Sequence, residues 1–277
     1  MGNFSEKLIR VDIQRCFEVD VTFPVLIWIF FMYSAQTASS QSYHQVSVGS
    51  GLQGVGERDL GYSQLKYTGI RSVFSVGFER QTPKRFESFS LSFSNGQTRS
   101  RGGNSIDTWS LGLISHVLYR RKSENGKGVR FGWSLQNEFN QRFHQSFSNF
   151  NDRMDYFTSV GPAMGCLLPN FWEDKNLKFK TTAHLQAVGF KFSSDYVSSL
   201  PPLPEWSGNP GEGAWRAPDV FWIGRDWSMG CLSEIRYESN SGNSLALQHQ
   251  FDFQQLSAAQ EVIRVRNSFL LNICVRL

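Results

Sequence analysis

Charged and hydrogen-bonding side chains recur at every second position in several segments of this chain. Lys178 and Lys180 follow this spacing, and so do Glu234 and Arg236. Because side chains alternate between the two faces of a strand, each set would line one face of its strand. Ammonium, guanidinium, imidazole and carboxylate groups on one face could pair as ions, line a path for polar solutes or exchange protons. The predicted set is Glu138, Lys178, Lys180, His184, Gln186, Glu234, Arg236, Glu238, Gln250 and Asp252.

The opposite faces of these segments are apolar. Phe89, Leu91 and Phe93 alternate with serines in a strict period of two, which indicates a strand. The last segment, Asn267–Leu277, is apolar at every second position up to its final residue. Soluble proteins rarely end on an apolar strand face, whereas a membrane barrel closes on one. The sequence therefore predicts an all-β chain whose strands separate a polar from an apolar environment.

About ten strands of about ten residues each are predicted between Tyr43 and Leu277. The first of them is predicted to end near Leu52, and counts from eight to twelve stay open. Short turns are indicated at Gln81–Lys84 by its proline and at Asn125–Gly126 by its dipeptide. Longer polar connections are predicted between these turns, such as residues 95–107. An even number of strands with short turns at one end and longer loops at the other is typical of an antiparallel up-and-down transmembrane barrel.

The N-terminal part of the chain is typical of an export signal. Phe23–Tyr33 is a continuous apolar run of eleven residues, which is shorter than the roughly 20 that a membrane-spanning helix needs. Small residues follow it up to Ser40, as in a cleavage site, and cleavage near Ala35 is the alternative. The acidic residues before Phe23 suggest an over-extended start. Residues 1–40 are therefore predicted to be a signal segment, and residues 41–277 a single barrel domain.

Composition excludes some functions. The chain has 28 Lys and Arg against 24 Asp and Glu, for a net charge of +4, and the charges are dispersed. This balance does not favour nucleic-acid binding. Cys166, Cys231 and Cys274 have no metal-ligand spacing, so neither a metal site nor a cofactor is predicted.

With these features the chain resembles the small bacterial outer-membrane β-barrel proteins, over essentially all of residues 41–277. The resemblance implies an outer-membrane location with both termini in the periplasm. It also implies contact with membrane lipid and lipopolysaccharide, and insertion by the barrel-assembly machinery. The closing strand of that family usually ends in Phe, whereas this chain ends in Leu277, so its assembly signal is weaker.

A barrel of ten strands is narrow, and charges of both signs inside it should pair because a buried unpaired charge is expensive. This favours a lumen plugged by ion pairs, with a narrow channel for small polar solutes as the alternative.

A barrel hydrolase, either a protease or a lipid deacylase, is a further alternative. Ten is the strand number of the omptin proteases, but their Asp-x-His arrangement is absent from this sequence. Ser110 and His116 share a strand face, yet six residues of strand separate them by about 20 Å. No catalytic residue is therefore predicted, and the chain is expected not to be an enzyme.

The connection 193–222 is the predicted contact surface. Its prolines should stiffen it, and it would present Trp206, Trp215 and Trp222 to a protein partner in or outside the membrane. The alternative is that these rings cover the barrel mouth or enter the lipid interface. The predicted function is accordingly a structural or partner-binding scaffold. A soluble lipocalin-like binder, with the apolar faces inward, is another alternative because alternation does not tell inside from outside.

Overall fold

The computed structural model describes residues 43–60, 63–82, 84–120, 128–144, 152–168, 176–193, 219–257 and 261–277. Within these ranges, no helix has the length and apolarity to cross a membrane. The twelve strands are β1 (Tyr43–Asp59), β2 (Ser63–Gln81), β3 (Arg85–Ser100), β4 (Ser105–Arg120), β5 (Val129–His144), β6 (Asp152–Leu168), β7 (Leu177–Leu185), β8 (Val188–Ser193), β9 (Asp219–Trp222), β10 (Trp227–Glu238), β11 (Ser244–Ser257) and β12 (Glu261–Arg276).

Twelve strands occupy ten positions around a closed barrel. β7 and β8 both pair with β6, one after the other, so they form a single barrel position interrupted at residues 186–187. β9 and β10 form another, because β9 pairs with β8 and β10 pairs with β7. Gly224 lies in the interruption between them with a φ of 111°, a left-handed conformation that favours glycine. The predicted number of ten is confirmed.

The barrel closes between the first and the last strand, as predicted. β1 pairs antiparallel with β12, so that Val48 lies opposite Ile273 and Leu52 opposite Phe269. β5 pairs with β6, and all neighbouring strands are antiparallel. Tyr43 and Leu277 therefore lie at the same end of the barrel, which is called the terminal end below. The opposite end is called the far end.

Apolar side chains point outward and polar side chains point inward. Ile70 and Ile273 keep 69% and 64% of their surface exposed, although both are large and apolar. The buried residues include far more polar than apolar side chains. An exposed apolar surface of this kind must face lipid rather than water. A lipocalin-like barrel requires the reverse, with apolar side chains inside, so this alternative is wrong.

The strands extend further towards the far end than the sequence patterns predict. β1 continues beyond Leu52, its predicted end, to Asp59, and β12 begins at Glu261 rather than at Asn267. The extensions carry charged residues, a pattern that is typical of loops. They are strands because their charged residues, such as Glu57 and Arg264, point into the barrel and pair there.

The apolar belt is shorter than the strands that carry it. On β2 the exposed apolar side chains run from Phe78 to Ile70, and Thr68 and Lys66 follow towards the far end. Roughly ten residues of a tilted strand cross the hydrocarbon core. The remaining residues therefore project beyond the lipid at the far end, and the predicted strand lengths near ten describe only the belt.

The predicted difference in length between turns and loops rests on one connection. The connections at the terminal end are residues 82–84, 121–128, 169–176 and 239–243. Those at the far end are residues 60–62, 101–104, 145–151, 194–218 and 258–260. Only 194–218 is long, because strand residues occupy most of the other segments that the sequence assigns to far-end loops.

Candidate functional site: a lumen filled with ion pairs

Nine charged side chains form a buried group inside the far half of the barrel, which is called the far-end cluster. Its members are Glu57, Asp59, Arg71, Glu138, Arg142, Arg153, Asp155, Arg264 and Arg266. Glu57 on β1 lies at its centre, where Arg142 on β5 donates a hydrogen bond of 2.7 Å to Oε1. Arg264 donates to Oε2 at 3.4 Å, and Arg71 donates to the same oxygen at 3.5 Å. One carboxylate thus joins strands on both sides of the lumen.

Two aspartates complete the part of the cluster nearest the far end. Arg153 donates from Nη1 to Asp59 Oδ1 at 2.9 Å and from Nε to Asp155 Oδ1 at 3.0 Å. Arg142 contacts both aspartates as well. Two guanidinium groups and two carboxylates therefore form a closed ring of ion pairs between β1, β5 and β6.

Glu138 anchors the part of the cluster nearest the middle of the barrel. Arg266 donates to both of its oxygens at 2.7 Å, which is the bidentate geometry that suits guanidinium and carboxylate. Arg264 donates to Glu138 Oε1 at 3.1 Å, and Asn140 donates to the same oxygen at 2.7 Å. Glu138 therefore lies in the lumen as predicted, but its hydrogen-bond partners are residues that the sequence patterns did not predict.

A second group of ion pairs, the terminal-end cluster, consists of Glu79, Lys180, Glu234 and Arg236. Arg236 Nη2 lies 3.0 Å from Glu79 and 2.6 Å from Glu234. Lys180 donates to Glu79 and lies 3.5 Å from Glu234. Each cation therefore contacts both carboxylates, so the four charges compensate one another inside the terminal half of the barrel.

Two adjoining cavities of ≈ 40 Å³ each lie between the clusters. One is lined by Glu138 and Arg266, the other by Glu79 and Glu234, and both are lined by Ser75, Ser90, Gln248 and Gln250. Each has room for roughly three water molecules. The lumen therefore contains small cavities, lined largely by polar side chains, between the two groups of buried ion pairs.

A row of hydrogen-bonding groups borders the cavity at the terminal-end cluster. Ser88 Oγ lies 3.2 Å from His116 Nδ1, and His116 Nε2 lies 3.4 Å from His184 Nδ1. The serine that accompanies His116 is therefore on the neighbouring strand β3. Ser110, which shares a strand with His116, lies 2.6 Å from Ser94 instead. A serine, a base and a second imidazole could activate a hydroxyl, but the adjacent cavity is too small for a peptide or a lipid.

The remaining predicted lumen residues also point into the barrel. Asp252 accepts a hydrogen bond of 2.8 Å from Gln250 and lies 4.0 Å from Arg266. Gln186 donates to Ser134 at 3.1 Å. Lys178 and Glu238 pair with each other nearer the terminal mouth, where their side chains are 30% and 25% exposed. The predicted residues thus spread over the length of the lumen rather than forming one site.

Most of the far-end cluster was missed because the predicted strands were too short. Glu57 and Asp59 are two residues apart, and so are Arg264 and Arg266. This spacing continues the polar face of β1 and β12 beyond their predicted ends. Extending the period of two through the charged segments would have found these residues.

Of the three predicted contact tryptophans, only Trp222 belongs to the described residues. It lies in β9 rather than in a loop, opposite Val188, and is 51% exposed on the outer surface. Trp109 and Trp227 are also exposed on this surface. Exposed rings at the edge of an apolar belt are typical of an aromatic girdle. Trp206 and Trp215 lie outside the described residues, and their predicted role stays a prediction.

The described ranges contain no group of three or more His, Cys, Asp or Glu side chains that could hold a metal ion. The signal segment predicted for residues 1–40 lies outside those ranges.

Comparison with known proteins bears on the fold alone. No protein-family model and no curated protein matches the chain. The outer membrane protease OmpT from Escherichia coli is similar in structure, with a TM-score of 0.54 and 7% sequence identity, over 85% of this chain and 97% of OmpT. This chain has the fold of the small bacterial outer-membrane β-barrels. The translocator domain of the autotransporter NalP from Neisseria meningitidis also matches, with a TM-score of 0.44 and 10% identity, over 99% of this chain and 98% of that domain.

Proposed function

We propose that this chain is a non-enzymatic outer-membrane barrel whose lumen is closed, and that it acts as a scaffold rather than as a channel. The observation that carries the proposal is the pair of buried ion-pair clusters. Glu57, Arg142 and Arg264 are at most 2% exposed on their side chains, so they leave no continuous aqueous path beside them. A solute would have to separate several charge pairs to pass, and each separation exposes a buried charge without its partner.

A narrow channel remains the second candidate, because the two cavities between the clusters are polar. Their serines and glutamines could hydrate a small solute. Passage would require both clusters to open together. The closed state is favoured because Glu138 alone is bound by four side chains, including the bidentate Arg266.

The likeness to OmpT does not favour a protease here. At 7% identity the likeness concerns the fold alone. In addition, the carboxylates of the far-end cluster are engaged in ion pairs. Glu57, Asp59 and Asp155 are each paired with buried arginines, so they are not free to activate a water molecule at the barrel rim.

The scaffold is proposed to present its far end outside the cell and both termini to the periplasm. The strands project beyond the apolar belt at the far end, and the long connection 194–218 is attached there. The surroundings of such a barrel would be membrane lipid and lipopolysaccharide, and its insertion would need the barrel-assembly machinery. A protein partner would bind through residues 193–222.

Conductance in planar lipid bilayers tests the closed lumen. The purified barrel should produce no unitary current above the background of detergent alone, and a known porin in the same bilayer serves as the positive control. Steady single-channel current from the wild-type chain would contradict the proposal and favour the channel.

A pull-down tests the partner. The test variant lacks residues 194–218. In the control variant, a Gly/Ser linker of equal length replaces this segment. Loss of the captured protein with both variants supports the contact surface. Retention with both shows that this segment is not the contact surface.

A further inference from the structure

The outer surface of the barrel carries a group of unpaired cations just beyond the apolar belt. Arg58 on β1 lies opposite Lys66 on β2, and Arg99 on β3 lies opposite Thr68, two residues from Lys66. Arg101 follows in the turn after β3. Arg58, Lys66 and Arg99 have the strand parity of outward residues. The four are called the outer basic patch.

These cations have no carboxylate partners in the described part of the chain. Arg130 and Arg276 also form no ion pair among the described residues, but they lie over the rings of Phe86 and Tyr43. Within the ranges that the structure describes, no member of the patch forms an ion pair, whereas all five arginines of the far-end cluster do. At the terminal end, outward Arg80 and Arg85 are both paired with Glu87. Arg58 also has a buried Nε without a hydrogen-bond partner. Arg99 Nε donates to Gln97 Oε1 at 2.8 Å, so the patch offers a ligand its positive charge and the terminal nitrogens of its side chains.

The surface beneath the cations is open. Outward positions 54 and 56 on β1 are glycines, and a side chain at Gly56 would meet nothing closer than the Lys66 side chain at 3.9 Å. Lys66 thus extends over Gly56, back towards the belt. Leu52 and Ile70, which are 58% and 69% exposed, form the edge of the belt below this recess. A ligand here would have apolar chains next to Leu52 and Ile70 and an anionic group next to Arg58 and Lys66.

We propose that the outer basic patch binds the phosphate groups of lipid A, the membrane anchor of lipopolysaccharide. This rests on the proposed orientation, which puts the far end in the outer leaflet. The recess is continuous with the lipid-facing belt, so its occupant is a lipid of that leaflet. Guanidinium and ammonium groups suit phosphate oxygens, and their long stems lie along apolar surface while the charge stays at headgroup depth. Two outward carboxylates lie near the patch. Gln97 donates to Asp107 at 3.0 Å. Gln255 donates to Glu261, which is two residues along β12 from Ile263, the partner of Arg58.

Titration of the purified full chain in detergent with bisphosphorylated lipid A tests the proposal, with thermal unfolding followed by tryptophan fluorescence. The test variant combines Arg58→Gln and Lys66→Gln. The matched control combines Arg80→Gln and Lys84→Gln, which remove two exposed cations at the terminal end. Lipid A should raise the Tm of the wild type and of the control at the same half-saturating concentration. The test variant should need at least about tenfold more lipid A, since two cations near an anionic surface are lost.

Two further ligands distinguish the source of the effect. Lipid A stripped of its phosphates should bind the wild type as weakly as the test variant binds intact lipid A. Equal binding of the stripped lipid, or an unchanged test variant, would overturn the proposal. The proposal would also be overturned if phosphatidylglycerol bound as tightly as lipid A and its binding also depended on Arg58 and Lys66. The patch would then bind any anionic headgroup. The conductance measurement does not depend on lipid A binding. A negative titration would therefore contradict only the lipid A site, and a measured current would contradict only the closed lumen.

Discussion

Arg142 and Glu57 meet inside the barrel at a distance of 2.7 Å, although 85 positions separate them in the sequence. They belong to β5 and β1, between which β4, β3 and β2 intervene in the wall. Their ion pair is therefore a strut across the lumen. Because both side chains are buried, the pair supports the barrel cross-section only as long as both charges are present.

Glu57→Gln is expected to destabilise the barrel strongly. The amide keeps the shape of the side chain but leaves Arg142, Arg264 and Arg71 without the charge that they share. Breaking a buried ion pair in this way costs roughly 3–5 kcal/mol. Urea unfolding in lipid vesicles, followed by tryptophan fluorescence, measures the change. Glu87→Gln is the control, because Glu87 pairs with half-exposed arginines at the surface and should cost less than about 1 kcal/mol. Equal effects of the two variants would show that the strut has no special role.

The two clusters act as seals in series, which predicts that conductance appears only when both are removed. Glu138→Ala with Arg266→Ala removes a bidentate pair of the far-end cluster, and Glu79→Ala with Lys180→Ala removes a pair of the terminal-end cluster. Removing both partners leaves neither Glu138 nor Arg266 unpaired. Asp252, which lies 4.0 Å from Arg266, keeps its hydrogen bond from Gln250. Each double variant should remain silent in planar bilayers, and their combination should conduct. Phe269→Ala, on the lipid-facing surface, controls for general loosening. Equal currents from one double variant and from the combination would refute seals in series.

Alternation of polar and apolar residues was sufficient to predict the barrel, its ten strands and its closure. A period of two assigns each residue to one of two faces, as it does for Phe89, Leu91 and Phe93, which the structure leaves exposed. The apolar end of the chain, Phe269 to Leu277, lies on the outer surface beside β1 as expected. These features depend on local residue order, which a sequence contains.

The contacts inside the lumen could not be predicted in the same way. Alternation places Glu138 inside, but its contact with Arg266 depends on the tilt and stagger of strands that are far apart in the sequence. The same holds for His116. The sequence pattern places Ser110 on the same strand face as His116, but its serine partner, Ser88, lies on β3. Charged segments at strand ends resemble loops in the sequence, since charge favours solvent unless partners are known. The ion-pair partners appear only when the barrel is closed.

Lys180→Met and Lys178→Met form a matched pair on one strand. Lys180 contacts Glu79 and Glu234 inside the terminal-end cluster, and its side chain is 12% exposed. Lys178 pairs with Glu238, and its side chain is 30% exposed near the mouth. Loss of the first should lower the free energy of unfolding by about 3 kcal/mol, because two buried carboxylates then share only Arg236. Loss of the second should cost less than about 1 kcal/mol. The same urea unfolding assay measures both. A larger loss of stability in Lys178→Met than in Lys180→Met would contradict the deeper burial of Lys180.

Arginine substitutions along β12 measure how deeply its outward face is embedded in lipid. Leu271 and Leu277 share this face and are 53% and 74% exposed to the surroundings of the barrel. Leu271 lies within the apolar belt, whereas Leu277 is the last residue, at the terminal end. A lipid-facing arginine costs roughly 2–4 kcal/mol at the bilayer midplane and 0–1 kcal/mol near the interface. Leu271→Arg should therefore destabilise the vesicle-inserted barrel by about that larger amount and Leu277→Arg by the smaller. If both substitutions were neutral, the outer surface would not be in contact with hydrocarbon, and the transmembrane assignment of β12 would fail.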